Sequence, residues 1–246
     1  MDATGLRGHV LFISTSEELR RFCERAASSS VLAVDTEFLR ERTYRPRLCL
    51  IQLATSADDI AAVDPLAISD LSPVVELFEN PAITKVFHAC SQDLEVIDGS
   101  LGCVPAPLFD TQLAAAFLGQ RMQLGYGGLV EAYTGVRLAK AESLTDWSRR
   151  PLDPEQLTYA EDDVRYLPGI YETMLSELVE RDRPPGERVA RRRGEDHLVA
   201  SRAERAGDES FVRERAVRLG RVAELHADVH GVLEGRDGLL LVARSV

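Results

Sequence analysis

Residues 31–38 read Val-Leu-Ala-Val-Asp-Thr-Glu-Phe. The apolar, β-prone run predicts a strand in the middle of a sheet. Side chains alternate along a strand, so Asp35 and Glu37 leave it on the same face. Two carboxylates amid an apolar run repel each other and are costly to desolvate unless a cation lies between them. One Asp-x-Glu is expected by chance in such a chain, and alone it describes solvated acids at a strand end.

Strands and helices alternate around this segment. His9–Ile13 predicts a short strand. Ser14 and Thr15, followed three residues later by Glu17 and Glu18, predict a capped helix to about Ala27. Leu48–Leu53, Ile60–Val63 and Thr84–His88 predict further strands. Leu71–Phe78, a stretch through Leu94 and Ile97, and Thr111–Leu118 predict helices. Asp153-Pro-Glu-Gln156 supplies a cap, a first-turn proline and a Gln three after the cap, opening a helix expected to reach about Glu180. This alternation predicts an α/β fold. Arg183-Pro-Pro-Gly186 marks a boundary, giving a domain over 1–180 and an extension over 181–246. The extension is expected to be mostly helical, for example over Phe211–His226, with a strand or packing tail at Gly238–Ala243.

The chain has 246 residues, with 29 basic and 40 acidic side chains and a net charge of −11. Its apolar and charged fractions, 45% and 28%, are those of a globular chain and exclude global disorder. No apolar run approaches the roughly 20 residues of a membrane helix, and Met1–Gly5 lacks the features of a signal peptide. A soluble cytoplasmic protein with no membrane partner is the expectation. Cys23, Cys49, Cys90 and Cys103 have no metal-finger spacing and read as reduced packing residues. The charge is uneven: residues 1–180 hold 15 basic and 28 acidic side chains, residues 181–246 hold 14 and 12. An acidic body does not attract phosphate, so a polyanionic ligand would require metal ions at the site.

Two further acids bear on that point. Asp93 falls in the first turn of a helix after a strand, where the helix dipole favours an acid and where sites assemble in open α/β sheets. Tyr159 and Asp163, in Tyr159-Ala-Glu-Asp-Asp163, are four apart and share a helix face. Glu161 and Asp162 read as surface acids. Four carboxylates and a phenol from three elements suit hard divalent cations, which take oxygen ligands. Two ions about 3.5–4 Å apart can clamp the attacking and leaving oxygens of a phosphodiester.

With these residues in place the chain resembles the ribonuclease D family, in the tyrosine-bearing branch of the DEDD 3′→5′ exonucleases. The segments are VDTEFLRERTYRPRLCLIQLA (34–54), KVFHACSQDLEVI (85–97) and KAESLTDWSRRPLDPEQLTYAEDDVRYLPGIY (140–171). The resemblance covers about residues 9–178, and the helical HRDC modules of larger family members are not recognised after it. It implies a ribonuclease H-like fold, a mixed five-stranded sheet flanked by helices. It also implies stepwise hydrolysis from single-stranded RNA 3′ ends, tRNA-like or other, releasing nucleoside 5′-monophosphates with two divalent ions, Mg²⁺ or Mn²⁺. By position Asp35, Glu37, Asp93 and Asp163 become metal ligands, with Asp35 the bridge, and Tyr159 orients the attacking water. A phenol's ordinary pKa of about 10 makes water activated by metal, not Tyr159 as a strong base, the source of hydroxide. A DNA exonuclease with the same site and a non-catalytic nucleic-acid-binding scaffold are the alternatives.

Around the five, Arg40, Arg42, Arg45 and Arg47 surround Tyr44 and offer phosphate contacts and a stacking ring, or simply an exposed basic loop. Gln52 and His88 are candidate substrate-side groups; the other reading of each is structural. Trp147 reads as a packing residue, with base stacking second. Lys140, Arg149 and Arg150 read as substrate-side or solvated charges, and Arg191–Arg193 as an RNA grip or a soluble helix end. Gly125–Gly128 is no phosphate loop, since no Gly-Lys-Ser/Thr follows.

Overall fold

The computed structural model describes residues 10–39, 46–139, 146–182, 227–228 and 244–245. Six strands form one mixed sheet: β1 (Leu11–Ile13), β2 (Val31–Leu39), β3 (Arg47–Ser56), β4 (Asp59–Val63), β5 (Thr84–Phe87) and β6 (Leu108–Asp110). Their spatial order is β1-β4-β3-β2-β5-β6. β3 runs antiparallel to β2 and β4, whereas β1 pairs parallel with β4, β5 with β2 and β6 with β5. β2 is therefore a central strand, flanked by β3 and β5, as its apolar run required.

Among the described residues seven helices flank the sheet: α1 (Ser16–Ala26), α2 (Ser72–Glu79), α3 (Ser91–Leu101), α4 (Thr111–Phe117), α5 (Tyr126–Thr134), α6 (Pro154–Arg165) and α7 (Leu167–Asp182). The period of two along β2 divides the core. Leu32 and Val34 join the buried layer made with Leu19 and Phe22 of α1, Val74 and Phe78 of α2, and Val96 and Ile97 of α3. Val31 and Ala33 join Ala114 of α4, Leu129 of α5, Val164 of α6 and Ile170 and Met174 of α7. Asp35 and Glu37 continue the second set and project toward α6.

The caps expected from the sequence are present. Thr15 Oγ1 accepts the Glu18 amide at 3.3 Å, and the Asp153 amide donates to Gln156 Oε1 at 2.8 Å. Three features differ from expectation. The sheet has a sixth strand, β6, only three residues long and lacking a readable period. α5 lies over a Tyr-Gly-Gly start that composition disguises. The helix opened by Asp153 is two helices broken at Tyr166, since Pro168 has no amide hydrogen to continue the first ladder. Beyond 182 the described segments Ala227–Asp228 (β7) and Arg244–Ser245 (β8) pair antiparallel. The expectations for Phe211–His226, Gly238–Ala243 and Arg191–Arg193 lie outside the described residues. Among the described residues no helix is long and apolar enough to cross a membrane.

Candidate active site

Asp35 and Glu37 stand on the α6 face of β2, and α6 crosses that face with Ala160, small and fully buried, against the sheet. The small residue lets the helix approach, and Asp163 and Tyr159 flank it. One carboxylate oxygen from each of Asp35, Glu37 and Asp163 lies within 4.8 Å of the other two. Asp163 Oδ2 is buried and has no hydrogen-bond partner among the described residues. The Tyr159 hydroxyl is hydrogen-bonded to the Asp163 carboxylate, and the residue is 37% exposed.

Asp93 reaches the group from α3 on the other side of β2. The Thr36 hydroxyl donates to Asp93 Oδ1 at 2.5 Å. Thr36 sits between Asp35 and Glu37 and points the opposite way, so one strand holds three of the acids together. Asp93 lies outside the tightest trio, yet its charge raises the pKa of each member.

The electrostatics follow from this crowding. Burial first, then the charges of Asp163, Asp93 and Glu37, push Asp35 well above the usual carboxylate range. Burial and the charges of Asp163 and Asp93 push Glu37 up to about 8. Burial raises Asp163 to about 7, and the Tyr159 hydrogen bond works against it. Burial also raises Asp93 to about 6, against the hydrogen bond from Thr36. Burial, aided by the charges of Asp163, Glu37 and Asp35, raises the Tyr159 phenol too. Carboxylates that resist ionisation only because they are crowded and dry are stabilised by a cation among them.

The start of α3 is fixed by a residue the sequence reading passed over. Asp110, at the end of β6, accepts the amides of Ala89 at 3.1 Å, Cys90 at 3.1 Å, Gln112 at 2.8 Å and Leu113 at 3.4 Å. It caps α4 and holds the turn into α3, where Ala89 has a left-handed φ of 59°. The signal was an Asp directly before a helical stretch. Tyr126 also escaped notice; its hydroxyl donates to the Asp162 carbonyl at 2.7 Å, tying α5 to α6.

The remaining candidates divide. Gln52 lies opposite Asp35 in the β2–β3 register; it is fully buried and neither amide atom has a partner among the described residues. His88 is held at both ring nitrogens, Nδ1 at 2.9 Å from Thr111 Oγ1 and Nε2 at 2.9 Å from the Leu124 carbonyl, which favours the structural reading. Trp147 is buried beside Tyr159, with ring centroids 6.0 Å apart. Arg150 departs from the solvated or substrate-side expectation: its guanidinium is bound within the protein. Arg40, Arg42, Tyr44, Arg45 and Lys140 lie outside the described residues. The four cysteines are free and buried, as expected.

The chain belongs to the 3′-5′ exonuclease family, whose model matches residues 10–179. Within that family it is similar to ribonuclease D. It is 45% identical to the ribonuclease D of Sphingobium indicum over 227 residues, 90% of this chain and 55% of that protein. Against ribonuclease D of Escherichia coli K12 the identity is 46% over 165 residues, 67% of this chain and 44% of that one. The crystal structure of the Escherichia coli enzyme superimposes with a TM-score of 0.68, covering 78% of this chain and 52% of that chain at 42% identity. The fold is thus the ribonuclease H-like exonuclease fold, and the chain spans about half the length of the curated relatives it matches.

Proposed function

We propose that this chain is a metal-dependent 3′→5′ exoribonuclease that releases nucleoside 5′-monophosphates one at a time from RNA 3′ ends. The carrying observation is the meeting of carboxylates from β2 and α6, 128 positions apart between Asp35 and Asp163, with oxygens within 4.8 Å. The matched Escherichia coli protein is described as an exoribonuclease involved in structured RNA processing, which supports RNA as the substrate class. On this reading the exonuclease domain is 1–180, and 181–246 is an extension to which no chemistry is assigned.

The donor set fits a pair of divalent cations, Mg²⁺ or Mn²⁺. It is all oxygen, it is crowded, and Asp163 Oδ2 is buried without a partner among the described residues. Asp35, Glu37, Asp93 and Asp163 would hold the ions. When bound, the cations supply the Lewis acidity that lets water attack phosphorus near neutral pH and that takes up charge on the leaving 3′-oxygen. The protein's own groups do the positioning. Tyr159, with its pKa raised, stays a phenol and orients water by hydrogen bonding rather than acting as a base. Thr36 holds Asp93, and Asp110 holds the turn from which Asp93 springs.

The test is 5′-labelled RNA incubated with Mg²⁺ or Mn²⁺, beside a matched DNA strand and EDTA controls. The expected product is a ladder shortened by one nucleotide at a time, lost in EDTA and in Asp35→Ala. No ladder, or an equal ladder from Asp35→Ala, refutes the proposal; faster loss of the DNA strand moves the substrate to DNA.

A further inference from the structure

The stretch 146–152 carries Trp147 but is neither helix nor strand, so its position depends on what ties it down. The tie is Arg150. Its Nε donates to Asp64 Oδ2 at 2.6 Å, and Nη2 to Asp64 Oδ1 at 2.7 Å and to the Cys49 carbonyl at 2.8 Å. Nη1 donates to the carbonyls of Trp147 and Arg149, both at 2.8 Å. All five N–H donors of the guanidinium are therefore used, and none is left for a phosphate. Asp64 is buried and takes the Leu66 amide as well, at 2.9 Å.

The acceptors come from distant places. Asp64 follows β4, and Cys49 lies where the β2–β3 register slips, since Glu37 opposes Leu50 while Phe38 opposes Leu48. That slip leaves Cys49 without a register partner on β2, directly across from Glu37 and Phe38. One planar fork thus joins the irregularity beside Glu37 to the turn bearing Trp147. The indole is buried against Leu50, Ala62, Leu152 and Ala160 and lies 6.0 Å from the Tyr159 ring at 40°. Tyr159 is 37% exposed, and Trp147 is an aromatic ring packed beside it.

We propose that Arg150 and Asp64 are positioning residues: they clamp the 146–152 turn so that Trp147 holds the Tyr159 phenol in line for reaction. The inference rests on the exonuclease reading of Tyr159. A lysine cannot replace the fork, because an ammonium cannot span a bidentate carboxylate and three carbonyls at once.

Trp147 is the only tryptophan, so its emission reports on the clamp directly. Arg150→Lys and Asp64→Asn are compared with the wild-type chain by metal-free emission and acrylamide quenching, by Mn²⁺ titration, and by kcat and KM on labelled RNA. Both variants should show red-shifted, more quenchable emission and a kcat lower by about 10–100-fold, as for a misplaced reacting group. KM and Mn²⁺ affinity should stay near wild type, because the carboxylates stand on other elements. Unchanged emission, unchanged kcat with loosened Trp147, or a loss confined to KM overturns the proposal. Should Arg150→Lys unfold, Asp64→Asn keeps the guanidinium and its carbonyl acceptors and decides by the same readouts; unfolding of both makes the pair a stability element only and also overturns it. An inactive wild-type chain would instead sink the exonuclease reading, visible before any variant is compared.

Discussion

Replacing Asp163 by Asn should make the metal-free chain more stable while it destroys activity. Asp163 titrates near 7 in the fold against an ordinary 3.8. Each unit is worth about 1.4 kcal/mol, so the ionised carboxylate costs the metal-free fold up to about 4 kcal/mol. The sign follows from proton binding: the folded chain keeps a proton that the unfolded chain has released between about pH 4 and 7. Stability contributed by this group therefore falls as pH rises through that window and is lowest above it. Asn cannot ionise, and it also removes one of the charges that raise Asp35 and Glu37. Thermal melts in EDTA should place Asp163→Asn above wild type by up to roughly 10 °C at pH 8, with a smaller gap at pH 5. With Mn²⁺ the order should reverse, because binding to the native state stabilises only the chain that retains its ligands. Equal melting temperatures at pH 8 in chelator, or a gap that does not depend on pH, would refute the view of these acids as a repelling group.

Three further outcomes are expected. Tyr159→Phe should lower kcat about 10²-fold and, by removing the hydrogen bond that holds the Asp163 pKa down, weaken Mn²⁺ binding far less than it lowers kcat, as calorimetry checks; full activity would remove the phenol from the reaction. Asp110→Ala strips the acceptor from four amides and should cost about 3–5 kcal/mol in urea unfolding, with Mn²⁺ affinity falling as α3 and Asp93 lose their anchor. Ala89→Gly relieves a left-handed backbone and should be neutral or stabilising by up to about 1 kcal/mol in the same assay; a clear loss would mean that the alanine methyl packs.

What could be read from the sequence was what local periodicity encodes. The period of two puts Asp35 and Glu37 on one face of β2 wherever that strand lies, and the i, i+4 rule puts Tyr159 and Asp163 on one face of α6 in any fold. Those relations survive folding because they depend on backbone geometry alone. That the two faces meet is not local: it needs β2 at the centre of the sheet and Ala160 small enough for α6 to lie close, and only the motif resemblance foretold it. The Arg150 contacts escape both routes. The residues paired with its guanidinium lie 86 and 101 positions away, and the Cys49 carbonyl is presented by a register slip that no residue pattern announces. A long basic side chain near an acidic site thus reads as a substrate-side or solvated charge, while its five donors are consumed inside the protein. The same logic explains β6: three residues are too few to show a period, and the strand exists because Lys85, Val86 and Phe87 of β5 supply a parallel template for it. Residues that act through their own element are legible in the chain, and residues that act by joining elements become legible only in three dimensions.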